Sequence, residues 1–455
     1  MRDEALAAGV AIIISSNNAD AHLGDNAQVT SQGKVNVTAY AEDDLKATAS
    51  GSSFSITTPT SPGSQVSLGG AFVLGTYSNN ANADVGKNAV VVASGAVTVH
   101  SEAKVPDQLP FTKDAQGAVD FFKGLETLAS QSKPSIDTSS PDSFVNSLGV
   151  ATKFAADATG GELVGAAKAI TPFFSFLNGA LGINNLATTY TISSASSKTR
   201  DGNGKFAFAG TVDIIHIGNH ATSFIDEGAH VTANNGPSVT VDSVASVEAI
   251  NVAGMGSFIS LLTSKGAPGA GSDGIGLGAN LSAGIYDNSA KSYLAAGVNV
   301  TASGDVNVTA GTKIVSVTAA QAGASAAKFG LALTGALNVI TNQAIAYIDS
   351  TATVTANDQG NVNLTANSDL TSVDLGFALS SSLGSTPMGA GGLETAAQAG
   401  VGLTAGANVF LNTTKAFIGD VAHSTKFTTP GVVHANGTVN INAANQEVLV
   451  GLSTG

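Results

Sequence analysis

Three histidines, His216, His220 and His230, come closest in this chain to a metal-binding pattern. Imidazoles four residues apart share a metal when they stand on one helix face, but here they lie among alternating apolar residues, where that spacing has no such logic. His216 is best read as a structural residue, and no metal is assigned. Polysaccharide cleavage takes two placed carboxylates. Glu42-Asp43-Asp44 and Asp226-Glu227 supply neighbouring acids, but both groups sit at turn-like sites where solvation accounts for them. The chain also has no Trp to stack on a sugar ring. Gly269 to Gly278 has the composition of a calcium-binding nonapeptide, yet it occurs once and lacks tandem ligands, so it reads as a Gly-rich loop. No nucleophile elbow joined to a triad, phosphate loop or dinucleotide fingerprint is present. The expectation is a protein that is not an enzyme and uses no cofactor.

Composition points the same way. Of 455 residues only 11% are charged and 5% aromatic, with 53 Gly, three Met and no Cys. Typical soluble domains carry about 25% charged residues. Small side chains dominate, which suits a thin layered interior lined by Val, Ile, Leu and Ala. The absence of Cys rules out disulfides and thiolate metal sites. A net charge of −14 opposes binding to nucleic acid or anionic lipid. Asp3 and Glu4, ahead of the apolar run Ala8 to Ile14, argue against a signal peptide.

That apolar run belongs to a repeat. Anchored on Asn17, Asn79, Asn219, Asn288, Asn342 and Asn412, one pattern recurs six times. Four positions on stand Ala21, Ala83, Ser223, Ser292, Ala346 and Ala416; six on stand Leu23, Val85, Ile225, Leu294, Ile348 and Ile418. Val29, Val91, Val231, Val300 and Val354 follow at twelve, with Ser424 the exception. Then come the alternating pairs Val35/Val37, Val97/Val99, Val239/Val241, Val306/Val308, Val362/Leu364 and Val439/Ile441, each an inward row of a short strand. Positions three and five before the Asn, from Ile14/Ile12 to Val409/Ala407, form another period-two strand, and His216 falls in this series. Strands of this length with Gly/Asn/Asp corners coil into three-sided rungs, and the anchor Asn suits a corner because it tolerates left-handed backbone. Anchor spacings range from 54 (342 − 288) to 140 (219 − 79), too variable for the hairpins of a β-sandwich but easy for a solenoid with insertions.

Most of the added length falls after the Val pair and before the next pre-Asn strand, at one node. The largest addition, 106–205, has helical periodicity, with Asp114 and Ser140-Pro141 as helix starts and an apolar stripe from Leu163 to Leu181 broken by Pro172. The expected organisation is 1–105, repeats one and two; 106–205, a small α-helical insertion; and 206–455, repeats three to six. Phe121, Phe122, Phe144, Phe173 and Phe174 make the insertion a candidate contact surface, a knob on one face of a rod. Lys168, Pro172 and Asn178 interrupt its apolar stretch, so no membrane span is expected.

The phrases Val298-Asn-Val-Thr-Ala-Ser-Gly-Asp-Val-Asn-Val-Thr-Ala310 and Gly360-Asn-Val-Asn-Leu-Thr-Ala366 resemble repeats of filamentous-haemagglutinin-type adhesins and autotransporter passengers of bacteria. The likeness spans nearly all of the chain outside the insertion. It implies an all-β fold, a right-handed parallel β-helix of six imperfect repeats, secreted to the bacterial cell surface for adhesion or as a stalk. The implied partners are a receptor or glycan on a host or neighbouring cell, and adjoining repeats of a longer chain, since both termini lie close to repeat-like sequence. The alternative, a solenoid-type polysaccharide-degrading enzyme, requires carboxylates converging in a groove on one face.

Overall fold

The computed structural model describes residues 4–44, 46–54, 66–105, 188–197, 205–236, 238–254, 270–272, 274–326, 328–381, 399–419 and 431–454. These residues form a parallel β-solenoid of six rungs. Each rung opens with a long strand: β1 (Glu4–Leu23), β5 (Val66–Val85), β9 (Phe206–Ile225), β13 (Ile275–Leu294), β16 (Phe329–Ile348) and β19 (Ala399–Ile418). They stack in that order into a long sheet. A turn leads to a four-residue strand, β2 (Gln28–Ser31), β6 (Val90–Ala93), β10 (His230–Ala233), β14 (Asn299–Ala302), β17 (Thr353–Ala356) or β20 (Val432–Ala435), which stack into a narrow sheet. The chain returns through an opposing sheet made of β3 (Val35–Glu42), β4 (Ala47–Phe54), β7 (Val97–Lys104), β8 (Thr189–Ser197), β11 (Val239–Ala253), β12 (Ala270–Ser272), β15 (Val306–Ala326), β18 (Val362–Ser381) and β21 (Val439–Thr454). Every pairing is parallel, which excludes the hairpins of a sandwich.

The register read from the repeats is the register of the sheets. Asn17 pairs with Asn79, Asn79 with Asn219, Asn219 with Asn288, Asn288 with Asn342, and Asn342 with Asn412. The Val pairs align likewise from Val35/Val37 to Val439/Ile441. The wide end of each rung, beside the narrow sheet, is filled by these Val and Ala columns; Val85, Val91, Val99, Val231, Val300 and Val354 are almost wholly buried. In the sixth rung the partner of Val354 is Val433, not Ser424. Nine residues are added between Ile418 and Val433 relative to the fifth rung (15 − 6), and counting straight through them displaced the expected position.

The anchor asparagines are not corners. Each lies inside a long strand with its side chain directed inward, and Asn79, Asn219, Asn288 and Asn342 are fully buried. Left-handed backbone appears nine positions later, at Asn26, Asn88, Gly228 and Gly297, where the long strand turns into the narrow one. The anchors instead tie rungs and sheets together. Asn17 Nδ2 donates to Asn79 Oδ1 at 3.2 Å, Asn219 to Asn288 at 3.1 Å and Asn288 to Asn342 at 3.0 Å. The same amides donate across the interior to opposing-sheet carbonyls: Asn17 to Glu42 at 2.9 Å, Asn79 to Lys104 at 3.2 Å, Asn219 to Ala103 at 2.8 Å and Asn288 to Ala245 at 3.1 Å. At the last rung Ser368 bridges Asn342 to Asn412.

Beyond the Asn column the interior narrows. Tyr77, Ile217, Tyr286 and Ile340 form a second core cluster with Val247, Ile314 and Leu370. Further out the inward positions are Gly, Ala and Ser, and the two sheets pinch together. A Cβ on Gly51 would meet the Gly70 carbonyl at 1.7 Å, and one on Gly278 would meet the Gly323 carbonyl at 2.2 Å, so no side chain fits there.

Insertions use more than one node. Residues 55–65, 198–204 and 382–398 lie between the opposing sheet and the next long strand, as expected, whereas 255–269 lie within the opposing sheet, between β11 and β12. The largest addition instead leaves from the middle of the opposing sheet. Val105 donates to Ser246 at 2.9 Å, and the chain rejoins where Thr188 donates to Ile250 at 2.9 Å. In the first rung residues 43–46 bridge the same gap. The helical runs and Phe121, Phe122, Phe144, Phe173 and Phe174 lie outside the described residues. The end of the range 106–205 is strand: β8 pairs with β4 and with β11, so it completes the second rung. The Gly-rich stretch expected as a loop supplies β12 and the first residues of β13, where a bare backbone suits the pinch.

Replacing Asn288 by Ala removes two donations and one acceptance inside the stack, and leaves Asn219 and the Ala245 carbonyl with fewer partners. Urea denaturation is expected to show a loss of about 2–4 kcal/mol. Asn412→Ala, at the solvated end of the column, should cost under about 1 kcal/mol. Equal effects of the two would show that the buried column does not hold the rungs.

Candidate functional site

The residues first considered for chemistry are not brought together. His216 and His220 both point outward from β9, about 13 Å apart along the strand. His220 Nδ1 lies 2.7 Å from Ser289 Oγ, and His230 is exposed at the start of β10. Among the described residues no cluster of three or more His, Asp or Glu side chains is arranged to hold a metal. Glu227 pairs with Lys87 at 3.2 Å, and Asp226 accepts the Glu227 N–H at 2.8 Å, as turn residues do. Tyr40 donates to Glu42, while Asp43 turns inward and is held above the usual carboxylate range by burial, against a hydrogen bond from Ser15.

Carboxylates meet in more than one place on the outer surface; Asp20 and Asp84 share the Asn82 amide at 3.1 and 3.2 Å. His100 Nδ1 lies 2.9 Å from Asp242 and its Nε2 lies 3.9 Å from Glu102, on the opposing sheet near the insertion's exit. The hydrogen bond to Asp242, opposed by partial burial, raises the His100 pKa. This cluster sits on a strand face and not in a groove.

A polar seam runs through the interior between the second core cluster and the pinch. Asn251 Nδ2 donates to Tyr286 at 2.7 Å, Thr189 to Asn251 at 3.0 Å, and Thr318 to Asn338 at 2.9 Å; Asn338 in turn donates to Asp374. Asp213 projects into this seam from β9, fully buried, and neither carboxylate oxygen completes a hydrogen bond among the described residues. Burial pushes its pKa up to about 7, against weak opposition from Thr189 and the Val252 backbone. Asp374 is pushed up to about 6, again chiefly by burial. Both carboxyls are therefore carried largely as neutral acids in weakly acidic solution.

The outer face of the long sheet is an extended apolar surface. Six outward columns, at odd positions from thirteen to three before each anchor Asn, cross all six rungs. They run from Glu4, Val66, Phe206, Ile275, Phe329 and Ala399 to Ile14, Thr76, His216, Ile285, Val339 and Val409. Only Glu4, Thr76 and His216 are polar. The positions three and five before the Asn thus face solvent: Ile12 is 57% exposed, Ile14 76% and Val409 47%. A groove of about 690 Å³ crosses this face, floored by Ala8, Gly70 and Gly210 and walled by Phe72, Val212 and Leu281. No carboxylate lines it. Single apolar patches on monomeric proteins are commonly about 300–600 Å².

Beside this face, past the Asn column, Phe224, Tyr293, Tyr347 and Phe417 stack ring on ring at 4.9, 4.9 and 5.3 Å, their planes nearly parallel. Lys291 Nζ lies 4.8 Å from the Tyr293 centroid and 5.5 Å from that of Tyr347; burial lowers its pKa. Neither surface was read from the sequence as a site. The signal was present one residue over from the inward pattern: wherever the inward positions turn to Gly and Ala, the outward ones turn to Leu, Phe, Val and Ile.

The buried Asp213 carboxyl predicts an inverted pH response. Its folded pKa, about 7, lies above the unfolded value of about 3.9. Between those values the folded chain keeps a proton that the unfolded chain loses, so stability falls as pH rises through that window and levels off above it. Asp213→Asn should leave stability at pH 4 nearly unchanged and raise it by a few kcal/mol at pH 8; parallel curves for the two proteins would refute the assignment.

Among the described residues no helix is long and apolar enough to cross a membrane. Comparison with protein-family models, curated proteins and solved structures finds nothing that matches this chain.

Proposed function

We propose that this chain is a structural and adhesive segment of a large secreted protein of the bacterial cell surface, without catalytic activity. The observation that carries the reading is the unbroken parallel register of six rungs. It gives a stiff scaffold with its variable length falling between strands, most of it in one large insertion. Six rungs rise only about 24 Å, at about 4.8 Å per step. Both end rungs expose unpaired strands and half-open interiors, where adjoining repeats would stack to extend the block into a rod. The insertion at 106–187, whose chain leaves and rejoins the opposing sheet at Val105 and Thr188, is the candidate contact element for a receptor or glycan on another cell.

Glu42 pairs with Lys104 and Ala47 with Thr189, so the first rung supplies a ready link for removing the insertion. Replacing 105–188 by the first rung's Asp43-Asp44-Leu45-Lys46 keeps both pairings. The intact chain is expected to bind cells or an arrayed glycan, and the shortened chain to retain its β circular-dichroism spectrum and lose that binding. Retained binding would move adhesion off the insertion. No binding by the intact chain to any cell or glycan would overturn the adhesive reading.

A further inference from the structure

The long sheet places its bulk on the wrong side for a solitary solenoid. In the outer half of each long strand the inward residues are small, as at Gly69, Ala209, Gly278 and Ala332, while the outward ones between them are Leu68, Phe208, Leu277 and Leu331. The outward field spans about 33 Å along the strands and about 24 Å across them, roughly 800 Å². That is the area each partner contributes to a standard stable interface, about 800 Å². Its occupant must be apolar and flat.

The two central columns carry a further pattern. Side by side in each rung stand Ala8 and Val10, Gly70 and Phe72, Gly210 and Val212, Ala279 and Leu281, Leu333 and Gly335, and Leu403 and Ala405. In every rung one is small and its neighbour large, and the order reverses together in the last two rungs. Both members of every pair line the groove. A twofold axis along the solenoid, passing between these columns, lays each large residue of one copy over the small residue of the same rung in another. Phe72 then enters the gap over Gly70, whereas the Phe208 ring leans over Gly210 and Leu281 over Gly335, so those side chains swing aside for the incoming residue. A Cβ on Gly70 meets nothing within 4 Å, so that gap is open.

From this self-complementarity we infer that the outer face of the long sheet binds a second copy of this chain, two solenoids side by side and pointing the same way. Charge selects this face. Two copies at −14 each repel, and the field carries a single carboxylate, Glu4, at one corner. Facing sheets cross at about −30°, so the columns nearest the axis keep their register, and these are the complementary ones. An isologous contact of this kind closes at two copies, whereas contacts between open end rungs build filaments. The inference stands independently of the adhesive reading.

The test is sedimentation equilibrium on the full chain with a swapped pair. The parent is expected to be a dimer at micromolar concentration. Gly70→Phe places two rings against each other and Phe72→Gly empties a gap, so each alone should weaken dimerisation at least tenfold. The double variant, with the pair exchanged, should recover it, which also covers the case of a single variant that folds poorly. A parent that stays monomeric would overturn the inference. So would open-ended polymers indifferent to these changes, a double variant no better than either single one, or monomers that float with neutral phosphatidylcholine vesicles instead of pairing.

Discussion

Parallel in-register stacking at about 4.8 Å per rung is the constraint on which everything else in this protein depends. Each side chain meets its counterpart one repeat away, so a residue is selected for how it packs against its own kind. An amide meets that condition inside the stack because it both donates and accepts, and the Asn column uses both functions. Its spare donors reach the opposing-sheet carbonyls, so one side chain sets the spacing between rungs and the separation of sheets. Aromatic rings meet the same condition outside, where Phe224, Tyr293, Tyr347 and Phe417 lie face to face at the repeat spacing. A lone carboxylate fails it. Asp213, flanked in its column by Val73 and Ser282, is left without a partner and shifts its proton affinity instead.

The two ends of a rung solve different packing problems. Beside the narrow sheet three walls enclose a space that Val and Ala fill. Toward the pinch two walls meet, and only residues without bulk can stand between them. Tyr77 and Tyr286 mark the transition, each ring lying over a glycine two residues earlier, Gly75 and Gly284. The large apolar residues excluded from the thin half are displaced to its outer surface, where they form a plane.

Much of this was legible beforehand. The anchor Asn and the Val pairs fixed the alignment of all six rungs, because a repeat that must stack on itself keeps its inward residues recognisable. Where the inward residue is merely small, that signal fades, and the apolar residues at Ile12, Ile14, Ile285 and Val409 were read as an ordinary strand row when they face solvent. A hydrophobic column is ordinarily an inward one, and only the identity of the alternate residues distinguishes the cases. The anchor Asn was assigned to corners because Asn tolerates left-handed backbone, whereas the asparagines that adopt it are Asn26, Asn88 and Asn235. Composition could not separate the two uses of one residue type. The return of the chain at Thr189–Ser197 was hidden for a related reason, since Thr-Tyr-Thr-Ile-Ser-Ser-Ala-Ser-Ser lacks the apolar pair that marks β3, β7, β11, β15, β18 and β21.

The backbone hydrogen bonds between rungs all run along the solenoid axis, and this has a mechanical consequence. Tension applied between the first and last rungs pulls those bonds apart directly, not in shear, so the rung at an end peels away before its neighbours feel the strain. Each detachment frees the length of one repeat, 54 residues between Asn288 and Asn342 or 69 between Asn219 and Asn288. At about 3.4 Å per residue that is on the order of 200 Å of slack per event. In the proposed adhesive role, such stepwise lengthening under flow would limit the force reaching whatever the chain holds.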